Sequence, residues 1–203
     1  MIKDSVVTNI IVSGVGGQGS ILTSHLLADA ALIEGFDVKL AETFGAATRG
    51  GSVYAHVRIG EVWAPMMRED EADVVISLEP LEGLRVATKF LKPGGCALIN
   101  THPWYPVDVT VGRVKYPSLD AITDALKKLD AKVITIDATS LAIEAGDSRS
   151  LNSVVLGGLI ALEVTPISQD GIFKAMQEKW KEHLVKINQK AFQLGYDFVK
   201  SVL

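Results

Sequence analysis

The sequence predicts an α/β protein with three layers, α/β/α, around a mostly parallel sheet that carries one antiparallel hairpin and leads into a helical C-terminal segment. Three observations carry that prediction. A β-branched run at residues 9–13 passes straight into the glycine-rich stretch Gly14-Val15-Gly16-Gly17-Gln18-Gly19 and then into apolar residues at helical spacing. Short apolar strand runs then alternate with helical segments as far as Asp137. Beyond Asp137 the periodicity is helical to the last residue.

Composition sets the outer bounds. The 203 residues are 48% hydrophobic, enough for one large domain with a sizeable core, and residues 1–203 are read as a single domain. Lys+Arg number 20 against Asp+Glu 24, and basic runs are absent, so nucleic acid is not an expected partner. The lone cysteine, Cys96, excludes an internal disulfide, a cysteine-based zinc site and an iron–sulfur cluster built by this chain alone. Cys96 reads as a small buried hydrophobe in a strand. The start of the chain lacks the apolar core of a secretory signal, and no segment approaches the ~20 apolar residues of a membrane span. A cytoplasmic location without membrane contact is the expectation.

The elements follow in order. Residues 20–32 form the first helix, ending near Gly35, and 36–40 alternate as a second strand. Strand, glycine loop, helix and strand within about 30 residues suggest a right-handed βαβ unit. Residues 42–51 read as a structured, small-residue loop. Residues 52–59 alternate strongly, and Gly60-Glu61 before residues 62–64 signals a hairpin. A strand at 72–77, a helix at 80–90 and a strand at 96–100 come next, the last entered through Pro93-Gly94-Gly95. Residues 101–108, with Pro103 and Pro106, form a loop; 109–116 read as a strand and 119–129 as a helix starting near Pro117 or Ser118. Residues 132–137 are the last strand. Helices are expected at 138–144, at 151–162, after Ser168, and through 180–202, where Leu184, Ile187, Ala191, Leu194 and Phe198 make an apolar stripe.

Gly14, Gly16 and Gly19 fit the G-x-G-x-x-G pattern in its required strand-to-helix context, which makes the fold Rossmann-like. Glycine lets the backbone turn tightly and approach a phosphate, whose charge meets the free N–H groups at a helix N-terminus. Ser20 could add a hydroxyl donor. The alternative is that these glycines serve only a tight turn and close helix–strand packing. Glu42, at the end of the second strand, is the candidate acid for a ribose, with an exposed glutamate as the competing reading. Residues 16–20 are also similar to the loop of ubiquitin-activating-type adenylating enzymes. The missing aspartate pair and CxxC ligands weaken that likeness.

Arg49-Gly50-Gly51-Ser52 is a second unusual element. An arginine flanked by glycines can present its guanidinium to a phosphate or carboxylate, or simply cap a turn. No catalytic residue is assigned. His102 suits proton transfer, although a histidine among prolines is more often structural or exposed. His25, His56 and His183 show no carboxylate or serine partner in the sequence, and neither a metal-ligand set nor a nucleophile–base arrangement emerges.

Taken together, the first glycine loop and Glu42-Thr43-Phe44-Gly45-Ala46-Ala47-Thr48-Arg49-Gly50-Gly51-Ser52 resemble the gamma-type subunit of 2-oxoacid:ferredoxin oxidoreductases, nearest the indolepyruvate branch's beta subunit. The likeness continues through Lys115-Tyr116-Pro117, through residues 146–157, and into Asn188, Ala191, Phe192 and Gly195. It implies a role in oxidative decarboxylation of a 2-oxoacid, such as indolepyruvate or pyruvate, to an acyl-CoA within a multisubunit complex. Thiamine diphosphate and iron–sulfur clusters would sit on partner subunits, ferredoxin would be reached through the complex, and this chain would be inactive alone. By the same resemblance Gly14, Gly16, Gly17, Gln18, Gly19, Ser20, Arg49, Gly50, Gly51 and Ser52 would face the partner subunit or coenzyme A. The residues agree: Gly146-Asp147-Ser148 is the nearest approach to a thiamine-diphosphate GDG motif, and it fails. Symmetry habits alone suggest an even number of chains, such as a homodimer. Two alternatives stay open at this point: a free-standing NAD(P)- or FAD-binding oxidoreductase, and a pure scaffold whose loops touch only protein.

Overall fold

The computed structural model describes residues 7–45, 50–105 and 107–203. Its centre is a six-stranded sheet formed by β1 (Thr8–Val15), β2 (Val38–Phe44), β3 (Ser52–Ile59), β4 (Ala72–Ser77), β5 (Leu91–Asn100) and β6 (Ala131–Ile136), in the order β2-β3-β1-β4-β5-β6. Every residue of β1 is buried, as expected of a strand covered on both faces. Alternation divides the residues between two cores. Ile10, Val12, Val74, Ile76 and Leu98 face one side, and Ile11, Val75, Ala97 and Ile99 face the other. The predicted three-layer arrangement follows from this split.

The first core is covered by α1 (Ser20–Ile33), α5 (Ala138–Ala145), α6 (Leu151–Ala161), α7 (Gln169–Lys179) and α8 (Glu182–Val202). The second is covered by α2 (Pro80–Phe90) and α4 (Leu119–Leu126), with the short α3 (Val107–Thr110) on the connection between β5 and α4. Among the described residues, no helix is long and apolar enough to cross a membrane.

β1 pairs in parallel with β4, β4 with β5, and β5 with β6, while β3 runs antiparallel to both β1 and β2. Two expectations change here. The predicted βαβ unit exists in split form, because β1 and β2 leave a slot that β3 fills. The predicted hairpin between residues 52–59 and 62–64 does not form. Both edges of β3 are occupied, by β1 and β2, so the antiparallel hairpin is β2–β3 instead. Residues 61–71 are held off the sheet by side chains. Buried Arg58 donates through Nη1 to the carbonyls of Ala64 and Met66 (both 3.2 Å), through Nη2 to Glu71 Oε1 (2.9 Å) and through Nε to Asn9 Oδ1 (2.9 Å). Trp63, on that segment, is 95% exposed.

Residues 109–116 also depart from expectation. They contribute the end of α3 and an irregular stretch turning at Gly112 (φ 76°), because Tyr116 reaches back to Glu79 rather than pairing along the sheet. β5 begins at Leu91, earlier than expected, and absorbs Pro93-Gly94-Gly95 with a register shift against β4. Cys96 lies on β5 half-buried beside the first core, where burial raises its thiol pKa.

Helices α6 and α8 meet backbone to backbone. A Cβ on Gly157 would stand 1.9 Å from the Phe192 carbonyl oxygen, and one on Gly195 would stand 2.0 Å from that of Val154. Phe192 is fully buried at this contact, where burying its ring contributes roughly 2–3 kcal/mol. Ser153 Oγ donates to Asn188 Oδ1 at 2.7 Å across the same pair of helices. At the end of α1, Glu34 accepts from the N–H of Ser168 at 3.1 Å and from its hydroxyl, tying α1 to the start of α7.

Gly157→Ala forces two backbones apart and should cost at least ~3 kcal/mol in denaturant unfolding. Gly35→Ala, with φ 84° but open space around it, should cost only about 1 kcal/mol. A second expectation concerns His56, which is buried and accepts the Met67 N–H at 3.2 Å on Nδ1. Burial, then Arg58 and Lys89, lower its pKa from 6.5. Below about pH 6.5 the unfolded chain therefore binds a proton that the folded chain refuses, so stability falls as pH drops. Unfolding midpoints measured across that range should fall less steeply for His56→Gln.

Candidate functional site

The ends of β1 and β4 mark the point where the chain leaves in opposite directions, toward α1 on one face and α2 on the other. Crevices at such strand ends are where open α/β sheets bind ligands. Here the crevice is closed by a side chain of the glycine loop. Gln18 accepts the Val15 N–H on Oε1 (2.8 Å) and donates Nε2–H to the Leu78 carbonyl (3.1 Å). Asn100 donates to the same carbonyl (3.0 Å) and accepts the Ala138 N–H (3.1 Å), extending the stitching to β5. Beneath it, Ser13 Oγ donates to Ser77 Oγ at 2.8 Å.

The two glycine loops are hydrogen-bonded to each other. Gly16 N–H donates to the Gly51 carbonyl (2.8 Å), and Gly50 N–H donates to the Gly16 carbonyl (3.2 Å). Gly14, at the end of β1, has no room for a Cβ, which would lie 2.7 Å from Ser20 Oγ. At Gly19 two constraints coincide: φ is 91°, and a Cβ would lie 2.2 Å from Asn152 Nδ2, which donates to the Gly19 carbonyl at 3.2 Å. Helix α1 starts there without a capping side chain or an acidic residue in its first turn, leaving the positive end of its dipole uncompensated from within the helix.

Two concavities flank Gly19. One, of about 280 Å³, is lined by Val15, Gly16, Gly17, Ser20, Phe44 and Val53 among others. The other, of about 420 Å³, is lined by Gly17, Gln18, His102, Trp104, Arg149 and Asn152 among others. Three buried side-chain polar atoms lack a hydrogen-bond partner among the described residues, and two of them lie here: Ser20 Oγ and Asn152 Oδ1. Their residues are 3% and 4% exposed, on opposite flanks of Gly19. Arg149 stands at the rim of the larger cavity with its side chain 84% exposed, forked onto Asp147 through Nε (3.0 Å) and Nη2 (2.6 Å). That pairing lowers the Asp147 pKa and raises that of Arg149.

Gly16, Gly17, Gly19 and Ser20 thus line the site, Gln18 both lines and closes it, and Gly50 and Gly51 brace it. The Ser52 hydroxyl is already committed, donating to Glu82 Oε2 at 2.5 Å. Arg49 lies outside the described residues. Glu42 is neither exposed nor free for a ribose: it sits in β2 and pairs with His25 Nε2 at 2.8 Å. That contact also corrects the expectation that His25 lacks a carboxylate partner. His102 lines the larger cavity.

Sequence reasoning passed over Glu79, Trp104, Arg149 and Asn152 as individual site residues. Glu79 is fully buried between β4 and α2. Burial raises its pKa, against the opposing effect of the Tyr116 hydroxyl and the Glu82 and Trp104 N–H groups that it accepts. The Tyr116 hydroxyl is pushed well above its ordinary pKa by burial and by its bond to Glu79.

Comparison with known proteins shows the family of the chain. The profile of the family described as pyruvate ferredoxin/flavodoxin oxidoreductase matches residues 9–198. The chain is 44% identical to the indolepyruvate oxidoreductase subunit IorB of Archaeoglobus fulgidus, over 93% of this chain and 94% of that one. Among solved structures, it resembles the gamma subunit of a keto/oxoacid ferredoxin oxidoreductase from Geobacter sulfurreducens, with TM-score 0.70, 25% identity, and 96% and 99% of the two chains covered. It has the same fold as part of the 2-oxoglutarate:ferredoxin oxidoreductase from Magnetococcus marinus, with TM-score 0.73, 23% identity, 98% of this chain covered and 32% of that one.

The bridging role of Gln18 yields a direct expectation. Gln18→Glu keeps an acceptor for the Val15 N–H but sets a second oxygen against the Leu78 carbonyl. A loss of about 2 kcal/mol in urea unfolding at neutral pH is expected, more than for surface glutamines treated the same way.

Proposed function

The chain belongs to the pyruvate ferredoxin/flavodoxin oxidoreductase family and is a subunit of a 2-oxoacid:ferredoxin oxidoreductase, and on that premise we propose that its part is to shape the coenzyme A approach while partner subunits carry the redox cofactors. Its similarity to IorB favours indolepyruvate as the oxoacid. The partner subunits would bring thiamine diphosphate and the iron–sulfur clusters, and ferredoxin would dock on the complex. This chain's donor set agrees with that division, since a single half-buried thiol, Cys96, is no cluster-ligand set.

The observation that carries the coenzyme A reading is the pair of buried, unpartnered polar atoms flanking Gly19 at the start of α1. The first-turn N–H groups and positive dipole end of α1 suit a pyrophosphate. The Ser20 hydroxyl can donate to an anionic oxygen, Asn152 Oδ1 can accept from an amide N–H, and Arg149 offers a planar cation at the rim. Coenzyme A supplies the thiol that takes up the acyl group. The residues here bind and orient, and none of them forms a nucleophile–base pair. Nothing at the site favours the NAD(P) or FAD alternative: Glu42 is held by His25, and Gln18 occupies the strand-end crevice.

Steady-state kinetics of the assembled complex test this reading. Arg149→Ala and Arg49→Ala should each raise the KM for coenzyme A by about tenfold, the effect of one charge-assisted contact, with kcat within about twofold. The isolated chain should oxidise no 2-oxoacid. Turnover by the isolated chain, or an unmoved KM in both variants, would refute the proposal.

A further inference from the structure

Among the described residues, the helices that are capped by a side chain follow a pattern with one exception. Ser118, Asp137 and Ser168 cap α4, α5 and α7, and Asp147 caps the short turn before α6, each through a short side chain. Helix α2 is capped by Glu79, whose Oε2 accepts the Glu82 N–H at 2.8 Å. Glutamate is not among the residues favoured at that position, because Ser, Asp or Asn reaches the first-turn N–H with fewer rotatable bonds. The extra methylene serves a second task. It carries Oε1 to the Tyr116 hydroxyl, and the Trp104 backbone N–H faces the same carboxylate and favours its charged form.

Both of those donors belong to the connection between β5 and α4. That segment folds on itself, with the Tyr105 and Tyr116 rings edge to face at 5.1 Å, and it sends His102 and Trp104 to the wall of the 420 Å³ cavity. Donors from two segments can be met at once by one carboxylate, whose two oxygens both accept. The first turn of α2 holds a second buried acid, Glu82, on Ser52 (2.5 Å) and Arg85 (2.6 Å), and this fixes the start of β3 on the other side of the glycine loop.

We infer that Glu79 is a positioning residue of the site: its carboxylate latches the β5–α4 connection as a wall of the larger cavity, a task separate from capping α2. The consequence for coenzyme A capture rests on the reading proposed above. Glu79→Asp separates the two tasks, since aspartate caps well but falls short of the connection.

Hydrogen exchange on the full chain, with kinetics of the assembled complex, tests it. For Glu79→Asp the unfolding midpoint should be kept, the amides of Trp104 and Tyr105 should exchange about tenfold faster, and those of α6 and α8 should be unchanged. Tyr116→Phe, which leaves the acid and the cap intact, should reproduce the faster exchange in a smaller degree and serves if the aspartate variant does not fold. In the complex, the KM for coenzyme A should rise several-fold with kcat held. Parental exchange at Trp104 and Tyr105 in both variants overturns the inference. Faster exchange with an unmoved KM supports the latch and overturns the coenzyme A reading of the cavity.

Discussion

The rest of the molecule depends on how the ends of β1 and β4 are held together. Two parallel strands that send their chains to opposite faces leave a gap between their carboxyl ends, and polar backbone in that gap must be satisfied. Gln18 and Asn100 supply the missing partners to Val15, Leu78 and Ala138, so the junction is both rigid and filled. The open space is thereby displaced from the sheet's crevice to the two flanks of Gly19. In a dinucleotide-binding protein the cofactor would occupy the gap. Here a protein side chain occupies it, and the anion-attracting start of α1 is turned toward the flanking concavities instead.

Much of the fold was legible from the sequence because it rests on local signals. β1, α1, α2, β6 and the C-terminal helices fall close to where periodicity and capping residues put them. Misreadings came where pairing was decided by what else competed for an edge. Residues 62–64 carry a fair strand signal, yet β3 has no free edge to offer, and Arg58 takes the carbonyls of Ala64 and, just beyond, Met66. Residues 109–116 alternate plausibly, but Tyr116 finds a buried carboxylate 37 positions earlier in the chain.

The candidate site was half legible for the same reason. Glycines advertise a backbone that must turn or be approached closely, so Gly14, Gly16 and Gly19 stood out at once. Asn152, which lies against Gly19, is separated from it by 133 positions and looks in the sequence like any polar residue in an apolar helix. Glu79 looked like the ordinary approach to a helix starting at Pro80. The pairing of the two glycine loops had a sequence signal only in their joint occurrence, since neither loop by itself specifies the other.

The insertion of β3 between β1 and β2 has a consequence for how the chain acquires its structure. β1 finds neither of its neighbours nearby in sequence: Val12 sits opposite Ala55 on one side and Ile76 on the other. The β2–β3 hairpin, by contrast, closes over a short connection. Such a topology favours early local assembly of the hairpin and late annealing of β1 into the centre of the sheet, because the entropy of closing long loops must be overcome first. During synthesis β1, a strand buried along its whole length in the finished fold, therefore emerges before the other five strands and waits for both of its partners. In that interval Ile10, Ile11 and Val12, wholly buried in the finished sheet, face solvent.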